Sequence, residues 1–254
     1  MRIDEKMAEI AGAFAADGCM QKDYICMWGN IYEEQEYYNT VLFNLFKSAF
    51  GVNLRLHPKQ SNSVYGFYLC GKEIVKFFSE KLGFPIGVKT YTMVVPEVIL
   101  KETSLWPSFI RGFADGDGCI NFSKRKGTYS LFKRTRHTYP RILLSSSSNN
   151  FMKQIKQMLD TLGVRSTLII AKSGRSNLPI TKILVRGVER VNKWFEIIGF
   201  SNSVQITRFQ IWRKFGYCPP YTTLAQRKAI LNGELNLEDF YEKNGPGRIR
   251  TDDP

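Results

Sequence analysis

Two stretches of the chain, 100 residues apart, share one pattern of apolar and small residues. Apolar side chains recur at helical spacing over residues 6–16 and again over residues 108–116, which predicts a helix in each stretch. Small residues stand four apart in both helices, at Ala8, Gly12 and Ala16 in the first and at Ser108, Gly112 and Gly116 in the second. This spacing places each trio on one helix face.

Glycine inside a helix costs about 1 kcal/mol relative to alanine, so Gly12 and Gly112 need a structural reason. We expect the two helices to pack in parallel, backbone against backbone, with these glycines at the helix interface. We also expect Gly18 to close the first helix in the left-handed conformation that is common at helix ends.

Similar elements follow the two helices in the same order. The first half predicts strands over residues 19–28, 54–57 and 64–70 and helices over residues 34–50 and 72–82. The second half predicts strands over residues 119–123, 141–145, 166–171 and 180–186 and helices over residues 149–162, 188–198 and 204–215. Matching tripeptides such as Phe50-Gly51-Val52 and Leu162-Gly163-Val164 indicate two diverged copies of one unit.

This duplication predicts an α+β protein with two subdomains, residues 1–104 and 105–216. A C-terminal extension follows over residues 217–254, and its last ten residues are expected to be disordered. The 254 residues contain no apolar run of about 18, which excludes a membrane-spanning helix. The N-terminus is charged and lacks the pattern of a signal peptide, so we expect an intracellular protein that is not secreted. The five cysteines are scattered without a CxxC pair, which argues against a zinc ribbon or a disulfide framework.

The positive charge is concentrated in one part of the chain. The formal net charge is +13, and residues 118–188 alone carry 14 Lys and Arg against a single acid, Asp160. A generally basic surface would distribute this charge more evenly. The distribution therefore predicts a polyanionic partner, with nucleic acid as the first hypothesis.

The two helices end in matching acids, Asp17 and Asp117. If the helices pack in parallel, both carboxylates meet near the negative ends of two helix dipoles, where they repel each other. Bound divalent cations remove this conflict, and Mg²⁺ prefers carboxylate, water and phosphate oxygens. The pair is therefore a candidate site for metal-assisted phosphodiester hydrolysis.

The two motifs, IAGAFAADG at residues 10–18 and IRGFADGDG at residues 110–118, resemble those of the single-chain, two-motif LAGLIDADG homing endonucleases. The resemblance covers roughly residues 5–216. It implies two pseudo-symmetric αββαββα subdomains that form a saddle over double-stranded DNA, in an intron-encoded or free-standing monomer. Family members cleave both strands of a long site across the minor groove and leave 3′ overhangs.

The resemblance also implies the site residues. Asp17 and Asp117 would be catalytic and, with the adjoining Ala16 and Gly116, would hold Mg²⁺, with Mn²⁺ as a possible substitute. Many members carry a Lys or Gln near the end of the second strand, but here Trp28-Gly29 and Ser146-Ser147 stand at those positions. Lys22 and Lys124 are weak substitutes. A non-catalytic protein, either an RNA maturase that binds intron RNA or a decayed endonuclease, therefore stays open as the alternative.

Candidate DNA contacts alternate along the predicted strands. Arg55, His57 and Lys59 are expected to share one strand face, as are Lys182 and Arg186, and Lys22 alternates with Tyr24. A two-stranded ribbon of such residues fits the major groove of DNA. The basic segment over residues 123–141 is expected to form an extended strand pair or loop on the DNA, and its candidate contacts are Lys124, Lys126, Arg134 and Arg136.

Overall fold

A computed structural model describes residues 2–59, 63–126, 131–172 and 178–242 of the chain. The last ten residues, for which disorder is predicted, and residues 127–130 of the basic segment lie outside these ranges. The helices with the small-residue faces are α1 (Glu5–Asp17) and α6 (Trp106–Asp117), and they pack against each other along their length.

The contact between α1 and α6 is made by backbone rather than by side chains. A Cβ atom at Gly12 would lie 2.0 Å from the carbonyl oxygen of Phe109. In the same way, a Cβ atom at Gly112 would lie 2.0 Å from the carbonyl oxygen of Glu9. Both distances are shorter than van der Waals contact allows, so no residue other than glycine fits either position. The two contacts are related by the 100-residue offset of the motifs.

Each half contributes a four-stranded antiparallel sheet. The strands of the first half are β1 (Gly18–Met20), β2 (Tyr24–Asn30), β3 (His57–Lys59) and β4 (Val64–Cys70). Those of the second half are β5 (Gly118–Ser123), β6 (Tyr139–Ser146), β7 (Thr167–Lys172) and β8 (Pro179–Arg186). The strand orders, β1-β2-β4-β3 and β5-β6-β8-β7, are identical in topology. The predicted α+β class and the pseudo-symmetric pair of units are therefore confirmed.

Helices cover one face of each sheet and bury its apolar residues. In the first half they are α2 (Gln35–Tyr37), α3 (Phe43–Phe50), α4 (Lys72–Lys76) and α5 (Glu97–Leu100). In the second half they are α7 (Asn149–Thr161), α8 (Val188–Ile197) and α9 (Ser203–Phe215), followed by α10 (Leu224–Asn232) and α11 (Asp239–Glu242). The buried side chains of both halves form one continuous core through α1 and α6. Among the described residues, no helix is long and apolar enough to cross a membrane.

Two local predictions from the sequence were wrong. Gly18 has φ −76° and ψ 147°, so it is extended and begins β1 directly. Glycine is needed there because a Cβ atom would lie 2.2 Å from the ring of Phe14. The strand predicted from residue 54 begins only at His57, because Leu54 turns into the core. The helix predicted over residues 34–50 is present, and it contains a π-helical segment, Tyr38–Leu42, between α2 and α3.

The C-terminal extension ties the two halves together. Arg227 of α10 is fully buried and donates through Nη2 to Oε2 of Glu33 in the first half, at 2.8 Å. The same guanidinium donates through Nε to Oγ1 of Thr207 in α9, at 3.0 Å. Glu33 also accepts from the backbone N–H of Leu224, the first residue of α10. The turn between β2 and α2 is therefore held by residues from the far end of the described chain.

The glycine contact yields a test of stability. A methyl group at residue 12 would force α1 and α6 apart, so we expect Gly12→Ala to lower the free energy of unfolding by about 3 kcal/mol or more. Thermal and urea unfolding followed by circular dichroism measure the change. Glu5→Ala, on an exposed position of the same helix, is the matched control and should change stability by less than about 0.5 kcal/mol. Equal stabilities of Gly12→Ala and Glu5→Ala would contradict the backbone contact.

Candidate functional site

The close approach of α1 and α6 brings Asp17 and Asp117 together. Both are the last residues of their helices, and both helices run in the same direction. A Cβ atom at Gly116 would lie 2.4 Å from Oδ2 of Asp17 and 2.7 Å from the Cβ atom of Ala16. The carboxylate of Asp17 therefore lies directly against the backbone of the neighbouring helix. Ala16 and Gly116, which the sequence marks as part of the metal site, face each other beside it.

Burial and neighbouring charge disfavour the ionised forms of both carboxyl groups. Burial, together with the negative charges of Asp117 and Glu34, raises the pKa of Asp17 to about 8. The side chain of Asp117 keeps an exposed edge, but desolvation on its protein side still raises its pKa to about 6. Two acids that both resist ionisation are poised to accept a cation, because a bound cation favours the charged form of each.

Lys89 is the cation that the protein itself supplies. Its Nζ atom donates to the carbonyl oxygens of Phe14 and Ala15, both at 2.6 Å, and to that of Ala16 at 3.0 Å. It therefore satisfies the last carbonyls of α1, where the helix dipole is negative. Burial lowers the pKa of Lys89 to about 8, and the charges of Asp117 and Asp17 oppose this shift.

The second half has no lysine at the corresponding position. The Gly83/Gly199 match aligns Lys89 with Gln205, an offset of 116 residues. Gln205 is buried, and its Oε1 atom accepts from the backbone N–H of Ile120 at 3.1 Å. Its Nε2 atom donates to the carbonyl oxygen of Gly118 at 3.3 Å. Both polar atoms of its amide are thus hydrogen-bonded to the backbone of strand β5. The site therefore has a lysine in the first half and a neutral amide at the matching position in the second.

Glu34 adds a third carboxyl group on the side of the first half. Its Oε2 atom accepts from the backbone N–H of Asn30 at 2.7 Å, and its Oε1 atom accepts from Nδ2 of Asn202 at 3.3 Å. Its burial raises its own pKa, and its charge raises those of both aspartates. The hydroxyl of Tyr38 is buried nearby and has no hydrogen-bond partner within the described residues.

Asp115 has a structural position, and Ala15 stands at the same place in the first motif. Its carboxyl oxygens accept from the backbone N–H groups of Ser201 and Asn202, at 2.9 to 3.0 Å, just before α9 begins. Glu9 in α1 accepts from the hydroxyl of Ser201 at 2.6 Å and from Arg111 in α6 at 2.7 Å. This buried network fixes the two central helices and α9 relative to each other.

The donor set fits a hard divalent cation. Asp17 and Asp117 offer carboxylate oxygens, which such cations prefer. Among the residues that the structure describes, no three His, Cys, Asp or Glu side chains come together to enclose a metal on their own. A cation held by the two aspartates would therefore complete its shell with water and with oxygens from a bound substrate, which suits Mg²⁺.

The predicted DNA contacts fall into three groups. Tyr24, His57 and Lys59 lie on the face of the first sheet that points away from the helices, and Lys182 and Arg186 lie on the same face of the second. Five further candidates lie in turns or loops. Lys124 is half-buried, and the other four are exposed: Lys22, Arg55, Lys126 and Arg134. Arg136 instead donates to Glu238 at 2.5 Å and stacks on Tyr217, so it binds the C-terminal extension.

The sequence did not mark Lys89 and Glu34, which adjoin the two aspartates. It also did not mark Arg141 on the outer face of the second sheet. Lys89 lies in an irregular segment 72 positions after Asp17, so no periodic pattern marks it. The sequence could have indicated Lys89 in one way. When the two halves are aligned at Gly83 and Gly199, Lys89 falls six residues after the first glycine and Gln205 six residues after the second. Arg141 was predicted to lie at the start of a strand, and the structure pairs it directly with Arg186 across β6 and β8.

Comparison with known proteins agrees with this geometry. Residues 107–199 match the model of the LAGLIDADG-like domain. A structure of the homing endonuclease I-DmoI superposes with a TM-score of 0.52 at 12% identity, covering 78% of this chain and 92% of that one. Complexes of I-DmoI with DNA and Mn or with DNA and Ca give TM-scores of 0.51 and 0.53. This chain has the two-domain LAGLIDADG fold. The resemblance inferred from the doubled motif is thereby confirmed.

One curated protein also matches part of the chain. It is an A-type ATP synthase subunit of Pyrococcus abyssi, 28% identical over 123 residues. The match spans 48% of this chain but 11% of the ATP synthase polypeptide. A match over so small a share of that polypeptide carries none of its activity to this chain.

The raised pKa of Asp17 predicts how stability depends on pH. The unfolded chain releases this proton near pH 3.8, whereas the folded protein retains it to about pH 8. The folded state therefore binds more protons in this window, and the stability contributed by Asp17 is lost as pH rises through it. Asparagine does not titrate, so in EDTA we expect Asp17→Asn to have a clearly higher Tm than wild type at pH 8.5.

At pH 5 the Tm values of wild type and Asp17→Asn should lie much closer together. Asp23→Asn, in the exposed turn between β1 and β2, is the matched control and should follow wild type throughout. Differential scanning fluorimetry between pH 5 and 9 provides the measurement. A Tm difference independent of pH would show that Asp17 does not titrate as described.

Proposed function

We propose that this chain is a site-specific double-strand DNA endonuclease that acts as a monomer. Its substrate would be a long asymmetric DNA site, because the two halves that would bind it have diverged. The observation that carries this proposal is the placement of Asp17 and Asp117 beside Lys89, between two sheets whose outer faces are open. Cleavage of both strands with 3′ overhangs belongs to the same proposal, as does a role in intron homing.

Asp17 and Asp117 would hold Mg²⁺, for which Mn²⁺ could substitute. A divalent cation at such a site lowers the pKa of bound water and stabilises charge on phosphate oxygens. The protein would hold the two carboxylates at a fixed separation through the glycine contact between α1 and α6. Glu34 would orient water beside Asp17 through hydrogen bonds.

Lys89 would hold a positive charge next to the scissile phosphate. Its ammonium group is fixed by three carbonyl oxygens, so it needs no reorganisation when the substrate binds. It stands in for the basic residue that neither strand β2 nor strand β6 supplies. Gln205 occupies the corresponding position in the second half, so the second scissile phosphate would have no lysine at this position.

The carboxylate pair gives the primary test. We expect Asp17→Asn and Asp117→Asn each to abolish double-strand cutting, because the cation would lose an anionic ligand, while DNA binding stays within a few-fold of wild type. A plasmid bearing the uninterrupted host locus, incubated with each protein with and without Mg²⁺, reports cleavage. Gel mobility shift with the same duplex reports binding. Full cleavage by either variant would overturn the assignment.

Removal of the Lys89 charge gives a second test. We expect Lys89→Met to lower the single-turnover cleavage rate roughly 100-fold, the size found when one preorganised group at a reacting phosphate or carbonyl is lost. Lys89→Arg should retain more activity than Lys89→Met, because it keeps the charge. Lys81→Met, on an exposed position of the first half, is the control and should cleave at the wild-type rate.

Since Lys89 also closes α1, the Tm of each variant must be measured alongside the rate. A stable, folded Lys89→Met protein that cleaves at the wild-type rate would contradict the role of this charge.

A non-catalytic role as an RNA maturase or as a decayed endonuclease is the second candidate. The observation that favours it is the neutral amide of Gln205, which occupies in the second half the position that Lys89 has in the first. Splicing assistance to a host intron, together with an intact plasmid in Mg²⁺, would support this alternative over the endonuclease.

A further inference from the structure

The outer faces of the two sheets carry different chemistry. Lys59 is the one Lys, Arg, Asp or Glu in the four strands of the first sheet. The strands of the second sheet contain four cationic residues, Arg141, Lys172, Lys182 and Arg186. Two surfaces with the same topology therefore cannot bind DNA by the same contacts.

Four aromatic rings occupy the outer face of the first sheet, and we call them the aromatic patch: Tyr24, Trp28, His57 and Tyr68. They lie on strands β2, β3 and β4 and touch one another mostly edge to face. The ring centroids of Trp28 and Tyr68 are 5.0 Å apart, and those of Tyr24 and Tyr68 are 5.3 Å apart. The patch is accessible, since Tyr68 is 41% exposed and the other three are half-buried.

A glycine in the central strand allows the patch to form. Trp28 and His57 both pair with Gly66 of β4, from opposite sides. A Cβ atom at Gly66 would lie 2.0 Å from the carbonyl oxygen of Met27, so this position requires glycine. The rings of Trp28 and His57, on either side of it, have their centroids 5.4 Å apart. The Nζ atom of Lys59 lies 5.7 Å from the ring of Trp28 and places one positive charge at the edge of the patch.

The patch is continuous with the candidate active site. Strand β1 begins at the residue after Asp17, and Cys19 of β1 pairs with Cys26 of β2 on the same face as Tyr24 and Trp28. A DNA duplex over the two aspartates would therefore lie along the patch on one side and along Arg141, Lys182 and Arg186 on the other.

The chemistry of the patch selects one feature of DNA. Aromatic rings cannot bind phosphate as guanidinium groups do, but they make apolar contact with the C5-methyl group of thymine in the major groove. Thymine displays this methyl group at the groove surface and cytosine does not. Lys59 is the one charged residue on the strands that carry the rings, so the contact made by the rings themselves should depend little on salt.

We infer that the aromatic patch reads thymine methyl groups in the half-site that faces the first sheet, whereas the second sheet holds its half-site largely by charge. This inference rests on the proposed function. It assigns base specificity to Trp28 and Tyr68, neither of which is a charged group, and it divides the recognition chemistry between the two halves.

The test uses full-length protein carrying Asp17→Asn and Asp117→Asn, which binds without cutting. Duplexes are selected from a random library in Mg²⁺. A photo-crosslinking amino acid at the position of Lys182, on the outer face of the second sheet, identifies the half-site that faces this sheet. Thymines are then replaced by deoxyuridine in one half-site at a time, which removes only the C5-methyl groups.

We expect deoxyuridine in the half-site facing the first sheet to weaken binding roughly fourfold for each methyl group in contact, the size of one buried methylene. The same replacement in the other half-site should change the Kd less than about twofold, because charge carries that contact. Tyr68→Thr should abolish part of the penalty, and the conservative Tyr68→Phe should preserve it. Neither Tyr68 variant should alter the salt dependence, whereas Arg186→Gln should reduce the salt slope by about one.

Equal deoxyuridine effects in both half-sites would overturn the inference, as would an unchanged penalty in folded Tyr68→Thr. In either case the duplex would still be bound, and wild-type protein would still cleave it, so the proposed function would stand. Failure to enrich any duplex would instead overturn the proposed function itself and the inference with it.

Discussion

Contact between two helix backbones, with no side chain between them, is the constraint on which the rest of the molecule depends. Gly12 and Gly112 bring α1 and α6 within a distance that any Cβ atom would prevent. That distance sets the separation of Asp17 and Asp117 at the helix ends. It also joins the two apolar cores into one, so the geometry of the candidate site and the global stability rest on the same contact.

Such close packing creates an electrostatic conflict. Two helix C-termini and three carboxyl groups meet in one place, where burial and like charge raise the pKa values of the acids. Lys89 offsets part of this by binding the last carbonyls of α1, and its own pKa falls as a result of burial. In the absence of a cation the site is therefore strained by charge, and its folded state is less stable than a neutral site of the same shape would be.

The sequence predicted those features that follow from short-range periodicity. The glycine spacing, the paired aspartates and the order of helices and strands depend on residues close together in the chain, and the doubled motif made the fold recognisable. Lys89, Glu34 and Arg227 were not predicted as parts of one assembly, because the groups that meet them lie on distant elements. The prediction of a left-handed conformation at Gly18 was wrong for a related reason. Glycine is required there because the ring of Phe14 leaves no room for a Cβ atom, and not because the helix ends in a left-handed turn.

The bond between Arg227 and Glu33 closes a loop of almost 200 residues. The ribosome synthesises Glu33 long before Arg227. During most of synthesis, the turn that positions Glu34 near the aspartates therefore lacks the ion pair between Glu33 and Arg227. A fragment that ends before α10 would leave the carboxylate of Glu33 without its ion pair and the hydroxyl of Thr207 without its donor. If either half is transferred to another scaffold, helix α10 and its ion pair between Arg227 and Glu33 must therefore be transferred with it.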